Sequence, residues 1–171
     1  MLRPSAGIKG DTIIMAELDL RAHLRMTTER AYRNLVNDLN ALDEGKASGS
    51  TDAATRPAIK MVAECGAVNG TLAGLLTTGA AAMPSPDERA AYYAAITTRA
   101  EALAALDVGT QKLYAAIDGV AADRWGETVQ TMLGPMTLLA AAGFAALHMM
   151  YHDGQLNYVH LLHGDNEMHW Q

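Results

Sequence analysis

The run Phe144-Ala145-Ala146-Leu147-His148-Met149-Met150-Tyr151-His152-Asp153-Gly154-Gln155-Leu156-Asn157-Tyr158-Val159 has apolar residues at three- and four-residue intervals and two histidines four positions apart. Four positions turn an α-helix through about 400°, so His148 and His152 emerge from one face about 6 Å apart along the axis. Phe144 and Val159 share that arc, and Tyr151 and Gln155 flank it. An apolar stripe above and below two imidazoles belongs inside a helical bundle. No Asp, Glu, Lys or Arg occurs from Thr128 to His152, a length that can cross a bilayer. Gln130, Pro135, the histidines and the many alanines argue against insertion. The stretch is read instead as a core helix that Pro135 opens and that ends near Leu162.

Three further helices are expected. The first spans Thr12 to Leu42, with Tyr32, Leu35, Val36, Leu39 and Leu42 on its apolar face, and the Arg25-Met26-Thr27-Thr28 run is a point of interruption. Glu44 to Thr51 is a polar loop with two glycines. The second helix starts near Thr55, takes Pro57 into its first turn and stops at Gly79. Ser85, with Pro86 next and Glu88 three residues on, caps a third helix reaching Asp118, with Gly109 in its middle. Gly119 to Leu133 is irregular, and no segment alternates as a strand does. Four helices on moderate loops give an all-α antiparallel bundle, a single domain over residues 1–171.

Composition agrees. Half of the 171 residues are hydrophobic and thirty-two are alanine, against nine aromatics, which favours close-packed helices over a β-sandwich. The net charge of −6 repels a phosphate backbone, so nucleic acid is not an expected partner. A lone cysteine, Cys65, excludes a disulfide framework or a CxxC redox motif and fits a reducing cytoplasm. The first ten residues lack an apolar run of signal-peptide length.

Two imidazoles at this spacing can share one divalent ion, or they can be buried rings satisfied by hydrogen bonds. Glu64 is the informative partner on the second helix, because Met61, Val68, Leu72 and Leu75 lie on its side. A carboxylate within that stripe is strongly desolvated unless a cation or metal pairs it; the alternative is a side chain that snorkels at the edge. Cys65, 100° away, reads as a small buried hydrophobe, and Asn69 lies about 140° away. His23 reads as surface, His160 and His163 as surface or last-turn residues, and Trp170 as packed on the bundle.

The run His148-x-x-x-His152-Asp153-Gly154-Gln155-Leu156-Asn157-Tyr158, followed by Leu161-Leu162-His163-Gly164-Asp165 and the ending through Trp170, resembles the last helix of the DinB-like superfamily. The resemblance is strong over 145–170 and topological elsewhere. It implies an up-up-down-down four-helix bundle, commonly a homodimer, holding a divalent ion on three ligands that are usually all histidine. His148 and His152 match the HxxxH pair. Glu64, followed five residues later by Asn69, stands where the family's third histidine sits. A two-His-one-carboxylate set suits zinc or nickel, with iron and manganese also compatible. Some relatives are S-transferases or isomerases that use a low-molecular-weight thiol on a small-molecule substrate. The resemblance therefore implies such an activity here, with Gln155 orienting a ligand or bound water. A non-catalytic stress-response or scaffold bundle is the other reading.

Overall fold

The computed structural model describes residues 19–50 and 55–170. In chain order it contains α1 (Leu20–Ala41), α2 (Glu44–Ser48), α3 (Ala58–Thr78), α4 (Pro86–Ala95), α5 (Arg99–Gly119), β1 (Thr128–Thr131), β2 (Gly134–Thr137) and α6 (Leu138–Leu162). The four long helices α1, α3, α5 and α6 form the bundle, with α3 packed most extensively on α5 and α1 on α6. The all-α expectation holds, with a small hairpin added.

Several boundaries differ from expectation, each for a local reason. Helix α1 begins at Leu20 because the Asp19 side chain accepts from the Arg21 and Ala22 amides; residues 12–18 of the expected start lie outside the described part. Thr27 and Thr28 do not interrupt it, since the Thr27 hydroxyl donates back to the His23 carbonyl at 3.0 Å within an unbroken helix. Glu44–Ser48 is a short helix rather than loop, held to α5 by the Arg99 amide donating to Glu44 Oε1 at 2.8 Å. Helix α3 starts at Ala58, not Thr55, because the residue before Pro57 is biased towards extended backbone.

The expected third helix is two. Ser85 does cap α4 with the foreseen Glu88 box, but the chain leaves the helix at Ile96 and re-enters at Arg99. Thr98 caps α5, and Glu101 Oε2 accepts from the Thr97 and Thr98 amides at 2.7 and 2.9 Å. Thr98→Ala should therefore lower stability by about 1 kcal/mol. Ser85→Ala should cost less in the denaturation midpoint, because α4 buries no residue. Equal losses would contradict that ranking.

Pro135 does not open the last helix. It sits in β2 opposite Gln130, in an antiparallel hairpin whose loop is Met132-Leu133. Gly134 takes φ +100°, which only glycine adopts readily. Thr137 is the true cap, accepting from the Ala140 amide at 3.2 Å. The Leu138 and Leu139 amides donate to the Glu127 and Trp125 carbonyls, which seats the hairpin on the helix start.

Gly109 does not weaken α5. It meets Gly66 of α3 where the two backbones cross: a Cβ on Gly109 would lie 1.9 Å from the Gly66 carbonyl oxygen. This contact brings the α3 residues 61–72 close to the rest of the core.

At the far end of α6, His160 lies in the last turn, as one of its two expected placements had it, but it is buried rather than at the surface. Its Nε2 lies 2.8 Å from the Asp38 carbonyl oxygen and its Nδ1 3.0 Å from Asp165 Oδ2. His163 is exposed, as is His23. Trp170 folds back as expected and donates from Nε1 to Asp38 Oδ2 at 3.3 Å. Asp38 also accepts from Asn157 Nδ2 at 2.6 Å, and beside it lies the fully buried Asp153.

Burial, then the neighbouring Asp38, push the Asp153 carboxyl up to about 8. A carboxyl raised in the folded state stabilises fully below its unfolded value, and that contribution fades as pH rises towards 8. Asp153→Asn should flatten stability between pH 4 and 8 and leave the variant more stable than its parent above pH 8, by a few kcal/mol. Urea midpoints across that range check it; parallel curves would contradict it.

Candidate metal centre

Helix α6 presents His148 and His152 on one face, with ring centroids 4.7 Å apart and the rings edge-on at 79°. The Phe144 ring packs on His148 with centroids 5.8 Å apart, and the Tyr151 ring on His152 at 5.1 Å. Gln155, one turn on, places Oε1 2.7 Å from His152 Nδ1, while its amide donates to the Tyr151 hydroxyl at 3.1 Å. A carbonyl oxygen only accepts, so His152 Nδ1 carries the proton and Nε2 keeps its lone pair. That arrangement fixes a ligating tautomer from outside the ligand set. His148 Nδ1 is buried and has no hydrogen-bond partner among the described residues.

Burial, then the adjacent His152, hold His148 down to about 4. Burial also lowers His152, against the opposing pull of Gln155 and Glu64. Both rings are therefore neutral at physiological pH, the form that coordinates a metal.

Glu64 reaches this cluster from α3, with Oε2 3.8 Å from His152 Nε2. It is not solely a free ligand: the same oxygen accepts from the Arg56 guanidinium. Cys65 is closer to the centre than its angle on the helix suggested. A potential ligand atom from each of Cys65, His148 and His152 lies within 4.8 Å of the others. The thiol is fully buried, and that burial pushes its ionisation up. Asn69 faces elsewhere, donating to the Thr110 hydroxyl at 3.0 Å.

Of the residues singled out in the sequence, the structure brings His148, His152 and Gln155 together and leaves Glu64 at the edge, near His152 alone; Arg56 and the nearness of Cys65 were not foreseen. No sequence signal marks Arg56, which precedes the start of α3 at Ala58. Two neutral imidazoles, one of them with an unpartnered buried nitrogen, and a thiol lie close enough together to share a divalent ion; Glu64 lies outside that set, near His152 and paired with Arg56.

Two spaces open beside the cluster. A cavity of about 230 Å³ is lined by Glu64 and His148 together with Val68, Leu72, Met136 and Phe144. A groove of about 410 Å³ runs past Arg56, Tyr151, Gln155 and Tyr158. No described helix is long and apolar enough to cross a membrane.

A family model described as the DinB superfamily matches residues 23–156, well over half of the chain. No curated protein matches it.

Proposed function

The chain belongs to the DinB superfamily, and from that premise we propose that it holds a divalent ion on His148, His152 and Glu64 and acts as a thiol-dependent S-transferase or isomerase. The observation that carries this is the pair of neutral imidazoles, one set in its ligating tautomer by Gln155 and the other left with a buried, unpartnered nitrogen. Zinc or nickel suits the donor set first; iron and manganese are compatible. Glu64 ligates by releasing Arg56, and Cys65 stands by as an alternative donor.

A bound ion would hold the sulfur of a low-molecular-weight thiol as thiolate at neutral pH. Overall, sulfur bonds to an electrophilic carbon. The thiol proton ends on the neighbouring carbon in an addition, or leaves with the displaced group in a substitution. The groove beside Arg56 and Gln155 offers polar groups suited to such a thiol. The protein works in the cytoplasm as a homodimer, and exposed Leu147, Tyr158 and Leu161 on α6 support self-association.

Conjugation of cysteine to monobromobimane by the pure protein, with and without chelator, tests the reading. A chelator-sensitive rate above the uncatalysed background supports it, and equal rates contradict it. The Arg56–Glu64 ion pair favours a second reading, a non-catalytic scaffold with a residual site, for which metal content near zero is the mark.

Protons compete with the ion for imidazole. Ordinary histidines would release it below about pH 6, but His148 is held down to about 4. Occupancy should therefore persist to about pH 5 and be lost towards pH 4. Release beginning near pH 6.5 would contradict the buried geometry.

A further inference from the structure

The cavity lined by His148 is otherwise almost wholly apolar, although it adjoins the histidine cluster. Its walls come from three elements far apart in sequence: Val68 and Leu72 from α3, Phe144 from α6, and Met136 from the hairpin. Thr131 of the hairpin and Thr71 add hydroxyls, but each is engaged, Thr131 with the Gly134 carbonyl at 2.7 Å and Thr71 with the Ala67 carbonyl at 3.0 Å. Neither hydroxyl proton is left for a ligand. The hairpin loop also lines the space, yet Met132 and Leu133 are 77% and 66% exposed. Two large apolar side chains held at a cavity mouth by a glycine-dependent turn form a rim with apolar surface still to cover.

We propose that this cavity is the subsite for the second substrate, and that this substrate is an uncharged, apolar small molecule whose reactive end lies beside His148. The proposal rests on reading His148 and His152 as the reaction centre, and it adds the chemical class of what reacts there. Among the described residues that line it only Glu64 and His148 titrate, and Glu64 is already paired with Arg56, so a charged molecule finds no free counter-ion there. The occupant's size follows from the space. A dry cavity of about 150 Å³ takes up benzene, so this one, at 230 Å³, accepts a substituted ring or a chain of about six to eight carbons. Methionines at the wall and rim adapt to more than one shape, which suits a range of related apolar substrates.

The division of labour is then spatial. The polar thiol approaches by the groove at Arg56 and Gln155, and the apolar partner by the hairpin side, so the two meet at the histidines without sharing a path.

Primary alcohols from butanol to decanol, titrated into protein carrying ¹³C-methyl methionine, test this directly. Affinity read at the methyls of Met136 and of Met83, which also lines the cavity, should rise about fourfold per methylene, then level off near six to eight carbons. Met150, exposed and outside the cavity, should stay silent. Val68→Phe, which fills the cavity with apolar volume, should remove the chain-length dependence. Leu133→Glu, an exposed rim position where folding is not at stake, should weaken octanol about tenfold. Metal-stripped protein should give the same series, so a flat series with metal bound overturns this proposal alone. A normal series in protein that binds no metal leaves the subsite standing and removes the metal reading. Shifts at Met150 equal to those at Met136 would also overturn the subsite.

Discussion

Gly109→Ala is expected to cost about 3 kcal/mol or more, a large share of the stability of an ordinary domain. The added methyl group meets backbone, not a movable side chain: the Gly66 carbonyl oxygen would lie 1.9 Å away and its carbon 2.6 Å. Relief requires α3 and α5 to separate, and these are the two most extensively packed helices of the bundle. Alanine's higher helix propensity returns only about 1 kcal/mol. Gly66→Ala should behave alike, since its Cβ would sit 2.3 Å from the Ala105 carbonyl oxygen. Gly74→Ala, on α3 with nothing within 4 Å, should instead stabilise by up to about 1 kcal/mol. Urea denaturation of the three variants checks the set, and similar midpoints for Gly109→Ala and Gly74→Ala would contradict the close crossing.

The same glycine shows where sequence reasoning loses its grip. Alone in a helical pattern, Gly109 looks like a weak point; its meaning depends on Gly66, forty-three positions away on another helix. Signals that act within one turn were legible, such as the Ser85 box, the Gly79 stop and the 148–152 spacing. Thr98 and Glu101 were equally local, but the apolar period resumes beyond them and hides the break. The hairpin was not legible because four-residue strands carry little alternation and their pairing is a tertiary fact. The burial of His160 was not legible because its partner is the backbone of Asp38, on another helix. At the site, the face of α6 could be read from spacing alone. Arg56 could not, because it lies in the irregular segment before α3, where no helical wheel applies.

The second large effect concerns the metal. His148→Ala should take the protein from about one ion per chain to none, because it removes one of the two neutral imidazoles that anchor the ion, and the buried Cys65 thiol, its ionisation pushed up, is a poor substitute. Gln155→Ala should keep both ligands yet weaken binding by about 10- to 100-fold, since His152 then loses the acceptor that fixes its tautomer. Gln155→Glu, which still accepts from His152 Nδ1, should restore binding. A purely structural role for Gln155 would make alanine and glutamate alike in their effect on the ion.

Metal per chain, by elemental analysis of wild type, His148→Ala, Glu64→Gln and Cys65→Ser purified without chelator, tests the central claim most directly. The expected result is about one ion in wild type and in Cys65→Ser, little in Glu64→Gln and none in His148→Ala. Equal occupancy in wild type and Glu64→Gln would remove Glu64 from the ligand set, and metal retained by His148→Ala would remove the centre itself.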